Sequence, residues 1–265
     1  MPTQSLFQPL KLGRATLAHR IVMAPLTRMR ATPGTNAPNA LNAEYYGQRA
    51  TKGGLIICEA SPVIASGTAG PNVPGIYSDA QVAGWKLVTD AIHAKGGVAF
   101  LQLWHGGRIS HSSLQPDGGL PQAPSAIPPS SGMVMGADLK PHPFETPRAL
   151  ETSELPGIVA AYGQAARNAV AAGFDGIEIH GANGYLLEQF LQSRTNKRTD
   201  AYGGSIENRA RLMLEATKAA ADAIGADRVG VRLSPYGRAN DSGEDDPIPL
   251  YGYVIGELNK MGLAY

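Results

Sequence analysis

Residues 173–191 read GFDGIEIHGANGYLLEQFL, and residues 192–209 continue QSRTNKRTDAYGGSIENR. Ile177 and Ile179, beside Gly176, form a short apolar run with strand character. Glu178 interrupts it with a carboxylate that needs a partner once buried. The run ends at His180. Gly181 and Gly184 break regular structure, and Leu186, Leu187, Phe190 and Leu191 then recur at helical spacing. His180, Asn183 and Tyr185 therefore stand where a strand hands over to a helix. In parallel α/β folds that end of a strand is where chemistry collects. Taken alone, His-x-x-Asn-x-Tyr fits a plain turn with a tyrosine capping a core better than it fits a catalytic site.

The rest of the chain repeats this unit. Ile21 to Thr27 (IVMAPLT) reads as a first buried strand ending near Pro25, which has no N–H for the ladder. LIICE at 55–59, VAFLQLW at 98–104 and VGVRL at 229–233 read as further strands. Helical stretches alternate with them: 39–51, a helix after Asp79, one capped by Thr152 or Ser153 with Pro156 in its first turn, one from Ser205 to Gly225, and one from about Pro249 to Met261. Residues 5–20 read as a hairpin turning at Gly13-Arg14, suited to cover one end of a barrel. Residues 106–150 hold eight prolines between Pro116 and Pro147. That stretch is too long for an ordinary connection and reads as a lid or binding loop. No linker divides the chain, so 1–265 reads as a single domain. The fold class is α/β, of the (β/α)8 barrel type, with five complete strands: Ile21–Pro25, Leu55–Glu59, Val98–Leu103, Gly176–His180 and Val229–Leu233.

Polar residues inside or just past these strands carry two readings each. Thr27 is a turn hydroxyl or a ligand contact. Gln102 is a structural hydrogen bond to a neighbouring strand or an amide aimed at a ligand edge. Arg232, among apolar neighbours, is one half of an ion pair with Glu178 or a cation placed against developing negative charge. Ala60 is uninformative alone, although a small residue at a strand end lets a planar ring approach the backbone.

Composition bounds the alternatives. A formal charge of +1 with 43% hydrophobic residues gives no electrostatic case for nucleic acid or a membrane surface. The single cysteine, Cys58, excludes an internal disulfide and suits a reducing compartment. No Cys/His group has metal-ligand spacing. No apolar run approaches the roughly 20 residues that span a bilayer. The N-terminus lacks the basic and apolar regions of a signal peptide. A cytoplasmic location is the expectation.

HGANGYLLEQFL followed by NKRTDAYGGSIENR closely resembles the signature of the old yellow enzyme family, in the branch that includes N-ethylmaleimide reductase and pentaerythritol tetranitrate reductase. The resemblance runs from Leu6 to Tyr265. It implies a flavin-dependent ene-reductase on a (β/α)8 barrel, with FMN bound non-covalently and NADPH or NADH as hydride donor. The substrate implied is a small activated alkene or nitro compound. It implies that His180 and Asn183 bind the substrate's oxygen and that Tyr185 supplies a proton. It places Ala24, Pro25, Thr27, Ala60, Gln102, His180 and Arg232 against the flavin, with threonine at 27 marking one of two subclasses. In the family further strands follow, the last of which hold the FMN phosphate. Gly262–Tyr265 reads as the start of a sixth strand. Five strands alone leave open edges, so a complementary C-terminal segment or a homo-oligomer is expected to complete the site. Two other readings stand beside this one. A phosphate-binding aldolase or isomerase barrel needs a Schiff-base lysine or paired carboxylates at strand ends, which these strands do not supply. A non-catalytic binding or structural piece is distinguished by turnover.

Overall fold

A computed structural model describes residues 3–265. Five parallel strands form one sheet in chain order: β1 (Val22–Met23), β2 (Leu55–Pro62), β3 (Val98–Trp104), β4 (Gly176–Gly181) and β5 (Val229–Leu233). Helices α1 (Ala40–Gly47), α2 (Asp79–His93), α3 (Leu155–Ala171), α4 (Leu186–Leu191), α5 (Ile206–Ile224) and α6 (Pro247–Asn259) connect and follow them. Strands of a parallel sheet are covered on both faces, so they read as near-continuous apolar runs. Their two faces differ in kind. Ile56, Cys58, Ala99, Leu101, Leu103, Ile177, Ile179 and Val229 pack with Trp85, Tyr162, Met213 and other helix residues in the main core. The alternate positions on β3 to β5 include Phe100, Gln102, Glu178, His180 and Arg232, and these turn the other way.

That second face is concave. Val22 in β1 and Tyr265, beyond β5, line one crevice together with Leu10, Leu12 and Leu17, although they belong to opposite sides of the sheet. The N-terminal hairpin, Leu10–Leu12 paired with Ala15–Leu17, sits at its base. Leu17 packs there against Leu55, Ile57 and Phe100. Arg14 fastens the hairpin turn to Asp227 before β5 with two hydrogen bonds of 2.6 and 2.9 Å. Residues 263–265 run beside β5: the amide of Ala264 donates to the Val229 carbonyl at 2.9 Å, and that of Val231 to the Tyr265 carbonyl at 3.1 Å.

Two expectations change. The first strand is two residues long rather than five, and it is not buried: Ile21, Val22 and Leu26 are 47%, 42% and 53% exposed. It pairs only with β2 among the described residues, so its outer edge and much of its side-chain surface face solvent. Helix α3 is preceded by a capping box between Glu151 and Glu154 rather than by a cap from Thr152 or Ser153. Thr152 instead directs its hydroxyl to Asp200. Ser205 caps α5 as expected, accepting the Asn208 amide, and Gly225 ends that helix with φ 94°.

The 106–150 excursion contains a hairpin, Met133–Met135 against Pro141–Pro143, and a short parallel pair, Gln122–Ala123 with Arg148–Ala149. It is anchored rather than loose. Arg108 is buried and donates to the carbonyls of Ile127, Asn240 and Asp241 at 3.0–3.2 Å, tying the excursion to the loop after β5.

Candidate active site

The C-terminal end of β4 is the centre of the concave face. In the parallel register His180 lies beside Arg232, and Glu178 lies beside Gln102 on one side and Gly230 on the other. His180 and Tyr185 pack edge-to-face with ring centroids 5.0 Å apart, and Tyr185 meets Trp104 the same way at 4.9 Å. Ala60, at the end of β2, belongs to the same apolar cluster as Trp104 and Tyr185. So Ala60, Trp104, Tyr185, His180 and Arg232 form one contiguous group drawn from four strands.

His180 is buried, and neither ring nitrogen has a hydrogen-bond partner among the described residues; its Nδ1 is wholly enclosed. Burial, with the Arg232 charge adding to it, holds the imidazole down to about 3, so it is neutral at physiological pH. A buried, unpartnered polar atom carries a desolvation cost of about 1–3 kcal/mol, which a ligand that hydrogen-bonds it recovers. Burial raises the Tyr185 phenol, with the Asn240 side chain pulling it partly back, so it keeps its proton. Arg232 is half-buried, and its guanidinium makes neither the ion pair with Glu178 nor any other side-chain hydrogen bond among the described residues. Glu178 takes other partners: Gln102 Nε2 donates to its Oε1 at 2.6 Å and the Tyr265 hydroxyl to its Oε2 at 3.2 Å. The structural reading of Gln102 thus has a specific partner.

The turn carrying Asn183 is built from left-handed backbone. Asn183 has φ 60° and Gly184 φ 77°. Asparagine tolerates this region and glycine enters it freely; a Cβ on Gly184 would also meet the Ala239 carbonyl oxygen at 2.7 Å. The backbone of the turn is held from three directions. The Asn183 amide donates to Ser234 Oγ at 2.9 Å, Ser234 Oγ donates to Glu188 Oε1 at 2.6 Å, and Asn240 Nδ2 donates to the Asn183 carbonyl at 2.8 Å. The Asn183 side-chain amide has no partner among the described residues, which leaves it free for a ligand.

Ala24, Pro25 and Thr27 stand apart from this group, following β1 at the opposite edge of the sheet; Ala24 and Thr27 are exposed. Their segment is held by Glu59 at the end of β2. Its carboxylate accepts the Arg28 amide at 2.8 Å and the Tyr46 hydroxyl at 3.2 Å, and burial pushes it up to about 7. Sequence reading did not single out Glu59, Glu188, Ser234, Asn240 or Tyr265. Only Glu59 carried a local signal, a carboxylate closing an apolar strand.

Comparisons place the chain among known proteins. The family model described as "NADH:flavin oxidoreductase / NADH oxidase family" matches residues 5–252. The putative 12-oxophytodienoate reductase 11 of Oryza sativa subsp. japonica is 46% identical over 99% of this chain and 71% of its own length. The putative 12-oxophytodienoate reductase-like protein 2A of Arabidopsis thaliana is 45% identical over 97% of this chain and 93% of its own. Other relatives extend further; the chain spans about two thirds of the length of several of them. A solved structure of morphinone reductase in complex with tetrahydroNAD superposes with a TM-score of 0.94 at 50% identity, covering 98% of this chain and 72% of that one. No helix of the described residues is long and apolar enough to cross a membrane. The sheet, the gathered strand ends and these similarities agree that the chain belongs to the NADH:flavin oxidoreductase / NADH oxidase family of FMN enzymes, among the old yellow enzyme homologues.

Proposed function

We propose that this chain reduces small activated alkenes, α,β-unsaturated carbonyl, nitro or maleimide compounds, with NADPH or NADH as the source of hydride. The observation that carries the reading is His180: buried, neutral, and packed against a protonated Tyr185 in the turn that also carries Asn183. The residues present fit FMN. The concave face offers an unpaired cation at Arg232, one spare end of the Gln102 amide and the small Ala60, a set suited to a planar ring with alternating donors and acceptors. Arg232, Gln102, Ala60 and His180 would hold the ring, with Ala24, Pro25 and Thr27 approaching from β1.

FMN, when bound, supplies hydride transfer between the nicotinamide and the alkene. His180 and Asn183 hydrogen-bond the substrate's carbonyl or nitro oxygen and stabilise the negative charge that develops there. Tyr185 gives its proton to the carbon next to the activating group. Trp104 and Tyr185, packed edge-to-face next to His180, would shield it from water. The names of the relatives as reductases of 12-oxophytodienoate and morphinone, and the tetrahydroNAD in one solved relative, support this substrate class and donor.

The test is the double variant His180→Ala/Asn183→Ala. It should slow reduction of cyclohexenone by roughly 100-fold or more, the scale of lost oxyanion donors, and weaken binding of phenols. Reduction at the parent rate contradicts the assignment.

The sheet also favours a partnered state. Apolar residues lie exposed along β1, and a crevice lined by Val231, Leu233, Ile255, Leu258 and Leu263 follows the other edge. We propose that a complementary segment of β/α units or a second copy of the chain covers these edges, as exposed edges and apolar faces invite association. Sedimentation velocity, with and without such a segment, reads this directly; a monodisperse monomer with full activity contradicts it.

A further inference from the structure

Gln102, Glu178 and Tyr265 form a polar row across the concave face. Gln102 and Glu178 are paired in register on β3 and β4. Tyr265 reaches the row by lying over Gly230, where any Cβ would run into its ring, and by stacking on Phe100 with centroids 6.1 Å apart. The two oxygens of Glu178 are shared out: Oε1 takes the Gln102 Nε2 at 2.6 Å, and Oε2 takes the Tyr265 hydroxyl at 3.2 Å.

We infer that Glu178 is a positioning residue that decides which end of the Gln102 amide faces the ligand. An ionised carboxylate only accepts hydrogen bonds. Against it the amide must present Nε2, because Oε1 at that distance would set two acceptors against each other in a buried site. With Nε2 committed, Oε1 is turned outward as an acceptor. A protonated Glu178 reverses the arrangement: its O–H donates to Oε1 and Nε2 faces outward as a donor. The protonation of Glu178 and the polarity of the Gln102 end are therefore one switch. Burial raises the Glu178 carboxyl, while Gln102, the Arg232 charge on β5 and the Tyr265 hydroxyl pull it back toward ionisation. His180, two residues on along β4, is neutral and adds no charge.

The consequence for ligand choice rests on the flavin reading. An outward Oε1 accepts an N–H, so it selects a ring edge carrying an imide hydrogen, such as flavin N3–H, over the same edge methylated.

Two measurements test this and separate it from the flavin reading. The first uses the chain without FMN: the side-chain amide resonances of Gln102, followed by NMR against pH. The parent should show one strongly downfield amide proton that collapses as Glu178 is protonated. Glu178→Gln should lack it at every pH. Tyr265→Phe, which keeps the ring packing and removes one donor, should move the collapse to higher pH. An unchanged Gln102 signal in Glu178→Gln, or an unmoved midpoint in Tyr265→Phe, overturns the inference. The second compares affinity for FMN and N3-methylated FMN. The parent should disfavour the methylated form by roughly tenfold, about one lost hydrogen bond, and Glu178→Gln should lose most of that preference. An equal preference in both overturns the link to ligand choice. If the NMR signature is intact and the parent binds neither flavin, the positioning role stands and the flavin reading falls.

Discussion

Glu188 Oε2 accepts the amide hydrogen of Gly184 at 2.5 Å, in the interior of the protein. The same carboxylate accepts the Ser234 and Tyr251 hydroxyls at 2.6 and 2.5 Å. One buried carboxyl group thus joins the β4–α4 turn to the end of β5 and to α6. It holds the backbone on either side of the Asn183–Gly184 peptide, because the Asn183 amide rests on Ser234. The turn proposed to bind the substrate's oxygen is thus held in place by a buried carboxyl group.

Glu188→Gln keeps one acceptor and turns the other into a donor facing hydroxyls whose protons already point at it. The expected loss is about 1–3 kcal/mol of stability by urea unfolding, with faster hydrogen exchange at the Gly184 and Asn183 amides. Parent-like stability and exchange would mean that the network does not hold the turn.

Glu59 gives a pH dependence of definite sign. Its carboxyl sits at about 7 in the folded protein against an ordinary value of 4.5. Between these values the folded state keeps a proton that the unfolded state has shed. The contribution is therefore full below the unfolded value and is lost as pH rises through about 7. Glu59→Gln cannot titrate, so its stability relative to the parent should improve with pH, by at most about 3 kcal/mol. His105 and His180, held down to about 4 and 3, act in the opposite direction below their ordinary range, but they are present in both proteins and cancel in the difference. Unfolding at about pH 5 and about pH 8 checks this; a constant difference contradicts it.

Tyr185→Phe keeps the ring contacts with His180 and Trp104 and removes the proton. Reduction of enones should slow by roughly 100-fold or more, while reduction of the flavin by NADPH stays near the parent rate. Nitroalkenes should be spared, since a nitronate takes its proton from water. Equal losses in both half-reactions would assign Tyr185 to packing alone.

Strands β2 to β4 were legible because burial on both faces leaves an apolar run in the sequence, and β5 keeps such a run although it is half-buried from Val231 onward. β1 carries the same signature, IVMAPLT, yet lies exposed. Its composition records what a strand prefers, while its neighbours decide what covers it. Thr152 has the chemistry of a cap, but Asp200 and Arg198 engage its hydroxyl from 48 and 46 positions away. The candidate group His180, Asn183 and Tyr185 was readable because its members share one turn. Its supports were not. Glu188 with Ser234, Gln102 with Glu178, and Arg108 with Asn240 are 46, 76 and 132 positions apart, and no local periodicity links them.

We propose the concave face around Gln102, His180 and Arg232 as the FMN-binding site. NMR titration of the chain with FMN tests it whatever the affinity. The side-chain resonances of these three residues should shift together and saturate, and Arg232→Met should weaken the binding by roughly tenfold or more, the scale of a lost charge-assisted contact. Resonances that stay fixed while FMN is bound, or shifts gathered elsewhere on the chain, would contradict it.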